Sequence, residues 1–272
     1  MRFLRSVTLF LCLMGALQAT AGDKLSFLKK QFTTQNGYKL NYRVLLPADY
    51  CPEQKYPVIL FLHGAGERGN DNEKQLVHGW DLFTNLQNRA DYPAIVLAPQ
   101  CPEQPDVPTK NYWVAIKRPV TPQERMFRTF PANAPITEPL AAVKELLDSY
   151  IAKGVVDTKR IYVTGLSMGG MGTFDLVCRY PNLFAAAVPI CGAVNTDRLA
   201  RYKGKTPFRL FHGADDDVVL PKFSQEAYKT LKSIGAEVQY TEYPGVNHGS
   251  WVPAFKEPDF LSWMFKQVKS SL

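Results

Sequence analysis

A serine between two glycines is the most informative feature of the sequence. Gly165-Leu166-Ser167-Met168-Gly169 falls between a predicted strand and a predicted helix. Glycines at this spacing are typical of a sharp turn that holds the serine in a strained conformation and leaves no room for flanking side chains. The pattern predicts that Ser167 projects its hydroxyl as a nucleophile, and the alternative is a glycine-rich turn with an idle serine.

A serine hydroxyl needs a base at neutral pH, and that base needs a carboxylate to orient it. Of the four histidines, His63 and His212 each end a predicted strand and precede a glycine, and His78 falls within a predicted helix. These three are expected to have structural or turn roles. His248 lies in a loop after the last predicted strand and is therefore the predicted base.

The orienting acid should lie between the nucleophile and the base in the chain. Three adjacent aspartates, Asp215, Asp216 and Asp217, follow a predicted strand in that interval. Residue types alone do not choose among them, and two of the three could simply cap the turn.

Attack on a carbonyl also requires N–H donors for the developing oxyanion. The turn His63-Gly64-Ala65-Gly66 directly follows the first predicted parallel strand, so its N–H groups can converge with that of Met168. The turn is a poor match to a phosphate-binding loop, because it lacks the Gly-Lys-Ser/Thr ending.

Short apolar runs alternate with amphipathic stretches through most of the chain. This alternation predicts an α/β protein with a mostly parallel sheet of about eight strands, helices on both faces, and sites at the carboxyl ends of strands. An antiparallel hairpin at Asn36-Gly37 opens the domain. The predicted strands are 29–34, 38–46, 57–62, 94–98, 160–164, 185–190, 207–211 and 237–243, and the predicted helices are 137–153, 170–180, 221–233 and 258–270.

One proline-rich segment, residues 101–136, breaks this alternation. It is too long for an ordinary connection, so a functional loop or small cap is expected. Trp113 within it, and Trp251 three residues after His248, are candidate substrate-binding residues. Packing within the cap or the core is the alternative for each.

The 272 residues, 46% of them hydrophobic, suffice for one sizeable domain, predicted over 22–272. Arg2 and Arg5 precede an apolar run at 7–17, and small residues end at Ala21. Residues 1–21 are thus predicted to be a signal peptide cleaved after Ala21, which implies a secreted or periplasmic protein. No later apolar run is long enough for stable membrane insertion.

The charge and the potential ligand residues exclude further classes of function. Lysines and arginines are scattered despite a net charge of +7, so no nucleic-acid surface is expected. Histidines and cysteines lack ligand spacing, so neither a metal nor an organic cofactor is predicted. Nothing in the sequence indicates the oligomeric state or a pairing of the four cysteines that follow residue 21.

At these residues the chain resembles the α/β-hydrolase superfamily, and within it the secreted esterases related to polyhydroxybutyrate depolymerases, feruloyl and acetyl xylan esterases, and the "predicted peptidase" group. The motifs that carry the resemblance are Leu62-His63-Gly64-Ala65-Gly66-Glu67-Arg68-Gly69, Gly165-Leu166-Ser167-Met168-Gly169-Gly170, His212-Gly213 with Asp216 and Val219, and Tyr243-Pro244-Gly245 with Asn247-His248. The resemblance implies an α/β-hydrolase fold. It assigns the acid to Asp216 and the oxyanion donors to the backbone of Ala65 and Met168.

The expected function is that of a secreted serine carboxylesterase with a Ser-His-Asp triad and an acyl-enzyme, acting on carbohydrate-linked acetyl or aromatic acyl esters of small molecules or polysaccharides. A prolyl-oligopeptidase-like serine peptidase is the main rival, although the chain has no room for a propeller domain. A simple lipase fits the sequence less well, because no strongly apolar lid appears in it. A non-catalytic binding protein on a hydrolase scaffold would not need nucleophile, acid, base and oxyanion turn together.

Overall fold

A central eight-stranded sheet organises the computed structural model, which describes residues 26–103, 112–116 and 130–270. Its strands lie in the order β1-β2-β4-β3-β5-β6-β7-β8. They are β1 (Leu28–Thr33), β2 (Lys39–Leu45), β3 (Tyr56–Leu62), β4 (Ile95–Pro99), β5 (Val156–Leu166), β6 (Ala186–Ile190), β7 (Phe208–Gly213) and β8 (Val238–Tyr243).

The strand directions agree with the sequence pattern. Strands β1 and β2 form an antiparallel hairpin whose turn contains Gly37 at a φ of 85°, a left-handed conformation that glycine adopts without steric cost. Strand β2 pairs antiparallel with β4, and every further pairing along the sheet is parallel. The predicted mostly parallel sheet with an N-terminal hairpin is confirmed.

Helices cover the sheet, and the longer ones are those that the amphipathic pattern predicts. The helices of the described residues are α1 (Trp80–Thr84), α2 (Leu86–Asp91), α3 (Glu138–Ala152), α4 (Met168–Arg179), α5 (Thr196–Ala200), α6 (Lys222–Ser233), α7 (Trp251–Ala254) and α8 (Phe260–Lys266). Short 3-10 turns occupy Ala65–Glu67 and Lys74–Leu76. The helical assignment of His78 was wrong, because His78 lies in the turn that precedes α1.

Alternate residues of the central strands pack into two different layers, which explains why these strands are continuous apolar runs. All seven residues of β3 are buried. Leu60 belongs to the cluster that includes Leu146 of α3, whereas Phe61 belongs to the opposite cluster, which includes Phe260 of α8. The sheet therefore has helices on both faces.

Part of the predicted organisation lies outside the described residues. This applies to the proposed signal peptide at 1–21 and to residues 104–111 and 117–129 of the predicted cap. Among the residues that are described, no helix has the length and apolar character needed to cross a membrane. Within the same ranges, Cys51, Cys101, Cys178 and Cys191 are all free thiols.

Candidate active site

Ser167 occupies a strained backbone position at the junction of β5 and α4. Its φ of 53° and ψ of −116° are unusual for a residue with a side chain, and such conformations cost about 1–3 kcal/mol. The surrounding structure holds it there, because the Ser167 N–H donates to the carbonyl of Ile190 at 2.8 Å. The residue is 9% exposed, so little of its surface is open to solvent.

The two glycines of the motif allow backbone segments to approach each other. A Cβ added to Gly169 would lie 1.9 Å from the carbonyl oxygen of Leu62, and one added to Gly165 would lie 2.6 Å from the same oxygen. No side chain fits at either position without moving backbone. The turn thus depends on the glycines for the steric reason predicted from the sequence.

His248 contacts both other polar members of the site. Its Nε2 lies 2.9 Å from Ser167 Oγ, and its Nδ1 lies 2.8 Å from Asp216 Oδ2. An ionised carboxylate only accepts hydrogen bonds, so Nδ1 carries the proton and Nε2 is left to accept from the serine hydroxyl. This is the tautomer that a general base for Ser167 requires.

Asp216 is the buried member of the three adjacent aspartates, and Asp215 and Asp217 are exposed. Its Oδ1 accepts 2.9 Å hydrogen bonds from the N–H groups of Val218 and Val219. Burial alone would raise the pKa of Asp216, but hydrogen bonds from His212, His248 and the backbone outweigh burial and hold that pKa well below its usual range. The carboxylate is therefore ionised while it orients His248.

Backbone contacts fix the loop that contains Asp216 against the loop that leads to His248. The N–H of Ala214 donates to the carbonyl of Tyr243, and the N–H of Asp215 donates to that of Val246, each at 3.0 Å. A Cβ on Gly213 would lie 2.2 Å from Val246 O. Glycine at this position lets the chain after β7 and the chain after β8 come close enough for the side-chain contact.

Ala65 and Met168 each begin a helical element that follows a strand. Ala65 starts the 3-10 turn after β3, and Met168 starts α4, where the first N–H groups have no partner within the helix. In the ranges that the structure describes, neither amide donates to another group. Both are thus available to a ligand, and their assignment as oxyanion donors stays a prediction.

Side-chain hydrogen bonds from Gln100 and Arg68 hold the turn that contains Ala65. The buried side chain of Gln100 accepts from the N–H of Asn72 at 2.7 Å and donates to the carbonyl of Glu67 at 3.2 Å. Nε of Arg68 donates to the carbonyl of Ala65 at 2.8 Å. These bonds fix the loop whose amide is proposed to bind the oxyanion.

Trp113 does not have the position expected of a substrate-binding residue. It is fully buried, and its indole N–H donates to the carbonyl of His63 at 3.0 Å. It also packs closely on α4, because a Cβ on Gly172 would lie 2.9 Å from Trp113 Cβ. The structure therefore favours the packing alternative for Trp113, since no face of the ring is open to a ligand.

Trp251 does lie beside His248. Its ring is 5.5 Å from that of His248 in an edge-to-face arrangement and 4.9 Å from that of His78. His78 in turn approaches Glu67, with 3.6 Å between Nε2 and Oε1. Trp251 thus has a position from which it can both brace His248 and contact a ligand.

His63 has the structural role expected from its position at the end of β3. Its Nε2 accepts from the N–H of Cys101 at 2.9 Å, and its Nδ1 donates to the carbonyl of Gly64 at 2.6 Å. Burial lowers the pKa of His63 to about 4, so the ring is neutral near pH 7.

Cys191, Asp216 and His248 lie close enough together to be considered as metal ligands. The Sγ of Cys191, a carboxylate oxygen of Asp216 and a ring nitrogen of His248 all lie within 4.8 Å of one another. However, the carboxylate and the imidazole already bond to each other, and burial raises the pKa of the Cys191 thiol well above its usual range. A protonated, fully buried thiol is a poor metal ligand, so the arrangement suits proton transfer better than metal binding.

The sequence is similar to a family of ester hydrolases. Residues 50–260 match the family model described as Phospholipase/Carboxylesterase. Carboxylesterase SOBER1 of Arabidopsis thaliana is 29% identical over 224 residues, which cover 78% of this chain and 91% of that protein.

Solved structures show the same architecture. A thermostable esterase superposes with a TM-score of 0.77 at 36% identity over 89% of this chain, and this chain spans 63% of the length of that protein. A ferulic acid esterase from Anaeromyces mucronatus, solved in complex with ferulic acid, gives a TM-score of 0.62 at 16% identity over 87% of this chain and 90% of its own. The second likeness is one of fold alone.

Proposed function

Because the chain belongs to the phospholipase/carboxylesterase family and is an α/β hydrolase that acts on esters, we propose that Ser167 is its nucleophile, His248 its general base and Asp216 the acid that orients His248. The observation that carries this proposal is the continuous hydrogen-bonded path from Ser167 Oγ through both nitrogens of His248 to Asp216 Oδ2, with links of 2.9 and 2.8 Å. Both distances lie within the range for direct proton transfer.

The reaction proceeds in two halves. In the first, Ser167 Oγ attacks the ester carbonyl carbon while its proton passes to His248 Nε2, and the same proton then goes to the leaving alcohol as the C–O bond breaks. In the second, His248 takes a proton from water, the resulting hydroxide attacks the acyl-enzyme, and the proton returns to Ser167 as the acid is released. Asp216 remains ionised and stabilises the imidazolium in both halves.

The amides of Ala65 and Met168 would stabilise the tetrahedral oxyanion. Removal of one such donor typically costs 10²–10³-fold in kcat, on the order of 3–4 kcal/mol. The low exposure of Ser167 supports this role, because water competes weakly for donors in a site of this kind.

We further propose that the substrates are carbohydrate-linked acetyl or aromatic acyl esters. Arg68 lies three residues after Ala65, and its guanidinium stacks over the ring of Tyr112 at 4.7 Å. A cationic and aromatic surface beside the Ala65 turn suits an aryl acid or a sugar ring. The basic and aromatic composition of residues 101–136 supports the same class of substrate.

A panel of substrates tests both the proposed mechanism and the proposed substrate class. Wild type and Ser167→Ala would be assayed on p-nitrophenyl acetate, methyl ferulate, acetylated xylan and a peptide anilide. We expect turnover of the esters, preference for methyl ferulate or acetylated xylan, and loss of all turnover in the variant. Full esterase activity in Ser167→Ala would exclude the mechanism, turnover of the anilide alone would favour a peptidase, and no turnover of any member would favour a binding protein.

The proposed export is tested separately. The protein would be expressed with its full N-terminal sequence in a bacterium, and the periplasm and culture medium would be collected. An N-terminus at Gly22 in either fraction supports cleavage after Ala21, whereas an uncleaved chain confined to the cytoplasm contradicts it.

A further inference from the structure

His212 is buried directly behind the acid of the site. Its side chain is fully buried, and it lies at the carboxyl-terminal end of β7, four residues before Asp216. Its ring has a partner at each nitrogen: Nδ1 lies 2.7 Å from Ser224 Oγ, and Nε2 lies 2.7 Å from the carbonyl of Val219. The same Nε2 lies 3.2 Å from Asp216 Oδ2, the oxygen that also contacts His248.

These partners determine which nitrogen of His212 carries a proton. Both groups near Nε2, the Val219 carbonyl and the Asp216 carboxylate, can only accept hydrogen bonds, so an unprotonated Nε2 would face two lone pairs at close range. The partner at Nδ1 is the hydroxyl of Ser224, which can donate. The arrangement therefore requires a proton on Nε2 and allows Nδ1 to accept from Ser224.

We propose that His212 is a positioning residue for the reaction: its Nε2–H, shared between Val219 O and Asp216 Oδ2, fixes the turn that contains the acid and sets the orientation of the carboxylate toward His248. The chain Ser224–His212–Asp216–His248–Ser167 is then continuous. His212 does not touch the substrate, since Asp216 and His248 lie between it and Ser167.

Two features of the turn make this role specific. Val219 is bonded at both ends of its peptide: its N–H donates to Asp216 Oδ1 at 2.9 Å, and its carbonyl accepts from His212. Asp216 therefore has one oxygen fixed by the backbone and the other placed between two histidines. Without His212, the oxygen that faces His248 would lose its second neighbour, and the carbonyl of Val219 would lose its partner.

Replacement of His212 should change kcat rather than KM. We expect His212→Met to lower kcat by about 10-fold or more with KM within about twofold, because misplaced catalytic groups impair the chemical step and the residue is remote from the substrate. His212→Gln should recover most of that loss, since its amide N–H can reach the position of Nε2. The matched control is Thr206→Val, which removes a buried side-chain hydrogen bond before the start of β7, from Thr206 Oγ1 to the carbonyl of Phe184 at 3.0 Å, and should leave kcat within about twofold of wild type.

The inference rests on the proposed function, and different results would contradict the inference and the function. If wild type neither turns over esters nor reacts with a fluorophosphonate, the proposed triad fails. If wild type is active and folded His212→Met has the same kcat, or if His212→Gln is as impaired as His212→Met, the positioning role alone is overturned.

A measurement on the wild-type protein covers the case in which these variants do not fold. In 15N-labelled protein, NMR distinguishes a protonated from an unprotonated imidazole nitrogen. We expect a protonated Nε2 on His212 at pH 7, and an Nε2 without a proton would overturn the inference.

Discussion

Asp216 Oδ2 lies 2.8 Å from His248 Nδ1, while the aspartates on either side of Asp216 point into solvent. This contact and the burial of Asp216 distinguish it from two chemically identical neighbours. We expect Asp216→Asn to lower kcat by about 10⁴-fold, because an amide at this position favours the wrong tautomer of the histidine. Asp215→Asn and Asp217→Asn are matched controls and should stay within about twofold of wild type in a steady-state ester assay. A large loss in either control with little loss in Asp216→Asn would assign the acid to a neighbour.

The close packing of Gly169 on Leu62 predicts a stability effect. Alanine at 169 would gain about 1 kcal/mol of helix propensity, but its Cβ would lie 1.9 Å from a backbone oxygen. We expect the clash to win and Gly169→Ala to lower the free energy of unfolding by about 2–3 kcal/mol or more, measured by urea denaturation.

The control for this substitution is Gly66→Ala, where a Cβ would have no atom within 4 Å. Its free energy of unfolding should stay within about 0.5 kcal/mol of wild type. Equal stability of both variants would show that the turn tolerates a side chain at 169.

The neutral, buried His63 predicts a pH dependence of stability. Its pKa is about 4 in the folded protein and 6.5 ordinarily, so the unfolded chain binds more protons between these values. The stability contribution is fully present above about pH 6.5 and is lost as the pH falls toward 4. Between pH 6.5 and 4, wild type should lose on the order of 3 kcal/mol more than His63→Gln, which does not titrate. Parallel stability curves for the two proteins would contradict the assignment.

The two tryptophans predicted to bind substrate should behave differently. Trp113 is buried and bonded to His63 O, so Trp113→Phe should lower the free energy of unfolding by about 1–3 kcal/mol and leave KM within about twofold of wild type. Trp251 packs on the base, so Trp251→Leu should lower kcat/KM by about 3–10-fold, the equivalent of one aromatic contact. Thermal melts and steady-state kinetics on both variants check these values, and a large KM effect in Trp113→Phe would restore a ligand role for Trp113.

Much of the fold could be predicted because its signals are local. The central strands are continuous apolar runs, the hairpin has Asn36-Gly37, and α3 and α6 have amphipathic periods. Helix α4, by contrast, is buried over its first ten residues. The short helices α1, α2, α5 and α7 have four to six residues each, too few to show a period, and tertiary contacts decide their conformation. The same limit led to the wrong helical assignment of His78.

The site residues that could be predicted are those that a motif or the chain order identifies. Ser167 and His248 were found from glycine spacing and position after a strand, and the structure brings them together. Asp216 needed a family resemblance, because burial, which separates it from its neighbours, does not show in three identical residues. The burial of Trp113 depends on packing between distant segments, and so does the contact of His212 with Asp216. For the contact of His212, the histidine of the His212-Gly213 motif was the one signal in the sequence.

Mass-spectrometric mapping of a fluorophosphonate adduct is the sharpest test of Ser167 as the nucleophile, because a serine activated by its base displaces fluoride from the reagent far faster than an ordinary hydroxyl does. We expect one adduct on the wild-type chain, located on Ser167, none on Ser167→Ala, and much slower labelling of Asp216→Asn. An adduct on another residue, or equal labelling of wild type and Ser167→Ala, would contradict the assignment of Ser167 as the nucleophile.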